Sequence, residues 1–254
     1  MLLCLIIVPS QTLILFLHKG RYAYILTQAF HIGVCTIFNI RIRKSGTLHT
    51  ASQTLYMSNH LSHLDICALG TLIQQTSFVA KKDVASWPLW GYLAKLQQTA
   101  FVSRSRGDAK KETNSLDTML ANGKNLVIFP EGTSTDGAGA LPFKSSLFAI
   151  ALRQEQAPLT IQPISINLIK TNGKPPQTHD QRCLYAWPRE LDMELPTHLW
   201  RFAQSSGAVL EITFHEILRS NDFSDRKILA KACHEAVCKG LDILDTVKTG
   251  APHG

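Results

Sequence analysis

The chain opens on two apolar stretches and then changes character. Leu2 to Leu17 is almost entirely apolar, broken by Pro9-Ser10-Gln11. After Lys19 and Arg21 a second uncharged stretch runs from Tyr22 to Ile40, carrying Gln28, His31 and Asn39, and Arg41, Arg43 and Lys44 follow it. A bilayer span needs about 20 apolar residues, so the first stretch is short and the second is long enough but polar in places. No basic segment precedes Leu2, so a secretory signal fits poorly. Both ends of the second stretch are basic and favour the cytoplasmic side. The pattern predicts an apolar helical hairpin over residues 1–44, lying in or dipping into one leaflet. The alternative is a pair of ordinary core helices.

From Thr54 onward short apolar runs alternate with helical patterns. Leu55–Ser58, Ser77–Ala80, Thr99–Val102, Asn125–Phe129, Thr160–Ile169 and Val209–Phe214 read as strands. Leu61–Gln75, Asp108–Asn122, Leu147–Arg153 and Arg226–Leu244 read as helices, the last with apolar residues at Ile228, Leu229, Ala232, Val237 and Leu241. This predicts an α/β domain over residues 45–254, a mixed, largely parallel sheet flanked by helices.

Hydrophobic residues make up 45% of the 254, enough for a sizeable core, and the net charge of +7 favours anionic partners such as lipid headgroups, nucleic acid or an acidic carrier protein. The six cysteines form no C-x-x-C pair and read as buried reduced thiols.

Three segments carry candidate chemistry. In Ser58-Asn59-His60-Leu61-Ser62-His63-Leu64-Asp65 a strand turns into a helix. A histidine there can accept a proton from a hydroxyl, and a carboxylate five positions on can reach its other ring nitrogen, fixing the tautomer and stabilising the imidazolium. In Val127-Ile128-Phe129-Pro130-Glu131-Gly132-Thr133-Ser134 a strand runs into an acid, a glycine and hydroxyl residues. Phe101-Val102-Ser103-Arg104-Ser105-Arg106 is a strand ending in arginines, whose planar forks suit phosphate.

Together these segments resemble the glycerolipid acyltransferases typified by bacterial 1-acylglycerol-3-phosphate acyltransferase. The order is N-H-x-x-x-x-D, a strand ending in Arg, F-P-E-G-T, then a strand containing Pro163. Phe78-Val79-Ala80-Lys81-Lys82 and Trp87-Pro88-Leu89-Trp90-Gly91 also match. The resemblance covers about Arg43 to Arg219 and implies the glycerol-3-phosphate acyltransferase-like fold. It implies that His60 is the catalytic base and Asp65 its partner. It implies that Arg104 binds an acceptor phosphate, that Glu131, Gly132 and Thr133 form the acceptor loop, and that Lys81 and Lys144 are basic positions near it. No metal or other cofactor is implied. The implied co-substrate is acyl-CoA or an acidic acyl carrier protein, the implied acceptor a lysophospholipid, and the implied location the cytoplasmic face of an anionic membrane, with no nucleic acid. Gln98, Ser103, Ser134 and Ser146 depart from the family, which commonly has Gly, Asp, Arg and Gly there. The missing arginine at Ser134 removes an anion contact.

The expected chemistry is direct transfer. His60 takes the acceptor hydroxyl's proton, the oxygen attacks the thioester, and N–H donors from the strand-to-helix turn or the Gly132 loop receive the oxyanion. Lysophosphatidic acid is the default acceptor, giving phosphatidic acid, with a lyso-aminolipid as the alternative. A thioesterase using the same dyad, a metal hydrolase built on His60, His63 and Asp65, and a non-enzymatic membrane module are the rivals.

Overall fold

The computed structural model describes residues 2–17, 21–102, 116–152 and 158–249. Helices α1 (Leu2–Leu17) and α2 (Ile25–Ile37) lead into a sheet built from β1 (Ile40–Gly46), β2 (Thr54–Ser58), β3 (Thr76–Lys81), β4 (Ala100–Val102), β5 (Asn125–Ile128), β6 (Thr160–Thr171), β7 (Ala208–Phe214) and β8 (Leu218–Arg219). The strand order is β1-β7-β6-β2-β5-β3-β4, with β8 beside β6. Every pairing from β6 through β2, β5 and β3 to β4 is parallel, and so is β1 with β7; β6 runs antiparallel to β7 and β8. The sheet is therefore mixed and largely parallel, with helices α3 (Leu64–Leu72), α4 (Trp90–Leu96), α5 (Leu195–Ala203) and α6 (Arg226–Thr249) around it.

β2 shows why both faces must be covered. All five of its residues are buried, as expected of a parallel strand between two helical layers. Tyr56 joins one core with Leu64 and Leu69 of α3 and Phe202 of α5. Its neighbours Leu55 and Met57 join the other with Leu229, Cys233 and Val237 of α6. Of the helix expected over Asp108–Asn122, residues 116–121 are helical and residues 103–115 lie outside the described residues, Arg104 among them. The segment expected as a helix at Leu147–Arg153 is a 3₁₀ stretch, Ser145–Leu152.

The expected domain boundary at residues 44 and 45 needs correction. It falls inside β1, which pairs with β7 along its whole length. Arg41, Arg43 and Lys44 read as membrane-flanking charges, but Ile40 and Ile42 alternate with Arg41 and Arg43 at the strand period. This makes them part of the sheet's edge strand.

The polar residues that interrupt the apolar stretches dock α1 and α2 onto the rest of the chain. Gln11 is buried and donates to the carbonyls of Ala23 (2.6 Å) and Leu96 (3.1 Å). Gln28 donates to the carbonyl of Thr71 (3.1 Å), and Asn39 to that of Ser206 (2.6 Å). Tyr24 shares a 2.8 Å hydrogen bond with Ser77 of β3. The opposite face leaves Leu5, Ile6, Leu13, Phe16, Ile25, Ile32 and Ile37 exposed. No helix among the described residues is long and apolar enough to cross a membrane.

His31 is the tightest of these docking points. It is buried, and Gly70 of α3 meets its ring so closely that an added methyl would overlap it. Overpacking of this kind costs about 1 to 3 kcal/mol, so Gly70→Ala is expected to lower the thermal unfolding midpoint by several degrees in detergent. Adding His31→Ala should recover part of the loss. An unchanged midpoint in Gly70→Ala would show that α2 does not seat there.

Candidate active site

Because β2, β5, β3 and β4 are parallel neighbours, their carboxyl ends lie along one edge of the sheet. That edge gathers His60 after β2, Phe129 to Thr133 after β5, and Lys81 at the exposed end of β3. The site is assembled there, as in other open α/β sheets.

His60 Nδ1 lies 2.9 Å from Asp65 Oδ2. The pairing with a carboxylate makes Nδ1 the N–H donor, leaving Nε2 as the basic nitrogen. The imidazole is 19% exposed and Asp65 not at all, so the base can be reached while its partner is sealed. Asp65 stands in the first turn of α3, where the helix dipole favours negative charge. Its Oδ2 also accepts from the amides of Leu61 (2.6 Å) and Ser62 (2.9 Å). Its Oδ1 accepts from the Tyr185 hydroxyl at 2.8 Å. Burial, with Asp65 beside it, pushes the Tyr185 phenol well above its ordinary range, so it stays a donor.

Glu131 ties the second loop to the first. It is buried, with Oε1 accepting from the amide of His60 (2.8 Å) and Oε2 from that of Leu141 (2.9 Å). The His60 carbonyl in turn accepts from the amide of Thr135 at 2.9 Å. Both oxygens of Glu131 therefore brace the loops around His60. Burial pushes this carboxyl up from 4.5 to about 7, against the two amide donors and the Lys144 charge. Gly132 and Thr133 follow, both half-buried. Gly132 takes a left-handed φ of 68°, open to glycine at no steric cost, and the Lys144 ammonium packs over its α-carbon.

Four of the amides expected as oxyanion donors have partners of their own. The amide of His60 is bound to Glu131 and those of Leu61 and Ser62 to Asp65, while the amide of Gly132 donates to the Phe129 carbonyl (3.0 Å). The amides of His60, Leu61 and Ser62 are thus engaged in holding the dyad and its brace.

His63 parts company with His60 and Asp65. Its ring meets Trp187 and His198 edge-on, with centroids 5.7 and 5.5 Å away. Burial, then His198 and His60, push it well below its ordinary range. This is not the shared His60–His63–Asp65 cluster that a metal hydrolase would need. Ser134, at the position where an arginine was missed, gives its hydroxyl to the Trp187 carbonyl.

Three contributors escaped sequence reasoning. Tyr185 lies 120 positions from its partner in a segment without pattern. Asn59 stood inside the motif; its side chain donates to the Ile166 carbonyl (3.0 Å) and accepts from the Ile166 amide (2.7 Å), pinning the end of β2 to β6. Phe129 was read as the end of a strand and the start of F-P-E-G-T, with no role of its own, yet its ring stacks on His60 with centroids 4.0 Å apart.

A family model described as Acyltransferase matches residues 39–167. The chain is 36% identical over 240 residues to a lyso-ornithine lipid O-acyltransferase of Brucella abortus, covering 92% of this chain and 88% of that one. It is 32% identical to one of the same name from Rhizobium meliloti, covering 93% and 81%. It is 29% identical to a 1-acyl-sn-glycerol-3-phosphate acyltransferase of Neisseria gonorrhoeae, covering 72% and 67%. The crystal structure of the 1-acyl-sn-glycerophosphate acyltransferase from Thermotoga maritima shares the fold, with a TM-score of 0.66 over 94% of this chain and 87% of that one at 19% identity.

The raised carboxyl of Glu131 gives a pH test. A carboxyl at 4.5 in the unfolded chain and about 7 in the fold takes up a proton on folding between those values. Its contribution to stability is therefore fully present below about pH 4.5 and is lost as pH rises through 7. Unfolding midpoints of the wild type, measured against Glu131→Gln from pH 4.5 to 8, are expected to fall steadily relative to the variant. A constant difference would show that Glu131 is ionised throughout.

Proposed function

This chain belongs to the acyltransferase family and is a lysolipid O-acyltransferase, and we propose that its acceptor is a lyso-aminolipid, lyso-ornithine lipid, in place of lysophosphatidic acid. The observation that carries this reading is the run of four relatives named lyso-ornithine lipid O-acyltransferase, 32% to 37% identical over 73% to 93% of this chain.

Ser134 supports it. An ornithine headgroup carries a carboxylate and an amine but no phosphate, so it does not require the arginine that phosphate-bearing acceptors use. The serine hydroxyl, turned to the Trp187 carbonyl, supplies no positive charge. Arg104 remains the candidate anion contact for the headgroup carboxylate, with Lys81 and Lys144 as further cations.

In the proposed reaction the acceptor hydroxyl gives its proton to His60 Nε2 while its oxygen attacks the thioester carbonyl of acyl-CoA or acyl carrier protein. Asp65 stabilises the imidazolium as it forms. The tetrahedral intermediate collapses, the C–S bond breaks, and the thiolate takes the proton back from His60. An ester and a free thiol result, and no covalent acyl-enzyme is needed. The site works at a membrane surface. The exposed apolar face of α1 and α2, with exposed Leu89 at the start of α4 and Tyr92 within it, suits burial in the headgroup and acyl boundary of one leaflet, and Arg41 and Arg43 suit its anionic charge.

The test is a transfer assay with the purified full-length chain in anionic vesicles containing either lyso-ornithine lipid or 1-acylglycerol-3-phosphate, each with acyl-CoA or acyl carrier protein as donor. The expected kcat/KM favours lyso-ornithine lipid by about 10- to 100-fold, the scale of one charge-assisted hydrogen bond, and His60→Ala loses about 10² to 10⁴ in rate. Preference for 1-acylglycerol-3-phosphate would overturn the acceptor assignment. Thioester hydrolysis unaffected by either lipid would favour the thioesterase reading.

A further inference from the structure

The imidazole of His60 and the ring of Phe129 lie face to face, 18° from parallel with centroids 4.0 Å apart. A cation over an aromatic face is attracted by the ring's negative quadrupole, more so when water is excluded. The stack is therefore better suited to the imidazolium than to the imidazole.

The ring is also held in place. Phe129 follows β5 directly, and its carbonyl accepts from the Gly132 amide at 3.0 Å. Phe78 of β3, itself buried, stacks behind it at 6.3 Å and 25°. The docked His31 of α2 stands edge-on to Phe78 at 6.3 Å. A run of rings thus reaches from the N-terminal helices to the base.

We propose that Phe129 is a positioning residue that holds the His60 ring flat and stabilises its imidazolium through the aromatic face, while the Asp65 hydrogen bond to Nδ1 holds the ring at its edge. The proposal deepens the transfer reading and rests on it for its consequence in rate. The charge and titratable groups around His60 are Asp65 and His63 on its own turn, Glu131 and Lys144 from the loop beyond β5, and Tyr185 from across the site. All are common to every variant compared below.

The experiment places phenylalanine carrying one, two or three ring fluorines at position 129 of the full-length chain in detergent micelles. Fluorination drains the π face and keeps the shape. Protonation of the His60 ring is followed by NMR with labelled histidine, using His60→Gln to assign the signal. The titration midpoint is expected to move to lower pH stepwise, by about 0.5 to 1 unit across the series. The acidic limb of the kcat/KM profile should move with it as kcat declines, and Phe129→Tyr should retain both. A midpoint that stays put or rises with fluorination overturns the proposal, even if the variants lose activity. The NMR readout needs no turnover, so failure of the transfer reading shows separately as an inactive wild type.

Discussion

A carboxylate without exposed surface, held by four donors, is the constraint on which the rest of the site depends. Removing a charge from water is costly unless it is paired and hydrogen-bonded. Asp65 meets that condition only when the His60–Ser62 turn wraps its side chain, the amides of Leu61 and Ser62 point inward, and Tyr185 arrives from the far side. Each donor fixes a different piece of chain. The geometry of His60 is thus set by the energetic need to satisfy Asp65, and the base is held ready before any substrate binds.

Glu131 extends the same logic by one shell. Its two oxygens bind amides from the turn and from Leu141, so the loop after β5 cannot move without disturbing the backbone of the base. Phe129 comes from that loop as well, which places its ring on the imidazole. The acid of the motif, which the family resemblance puts in the acceptor loop, also braces two loops in this arrangement.

Much of this was legible beforehand, for reasons that particular residues make plain. The His60–Asp65 spacing is local, so six residues of sequence contain the whole hydrogen bond. The strand at Thr54–Ser58 announces itself because both its faces are buried and its run is unbroken. Tyr185 was invisible because its role is defined only by a contact across 120 positions. β1 was missed because Arg41, Arg43 and Lys44 read first as charges flanking a membrane segment, while their alternation with Ile40 and Ile42 is the signature of an edge strand. The partners of the turn's amides were not legible, because sequence shows which amides exist near a turn but not which are already bound. Gln28, His31 and Asn39 looked like flaws in an apolar stretch; they are the contacts by which that stretch docks.

The central claim is that the charge on Asp65 fixes the orientation and tautomer of His60 and stabilises its imidazolium as it forms. Asp65→Asn tests it most directly, since the amide keeps the shape and the Tyr185 contact while removing the charge and offering Nδ1 a donor in place of an acceptor. Turnover of a lysolipid acceptor by the folded variant, measured across pH with circular dichroism to confirm the fold, is expected to fall by about 10² to 10⁴ in kcat with little change in acceptor KM. A folded Asp65→Asn protein with near wild-type kcat would contradict the account.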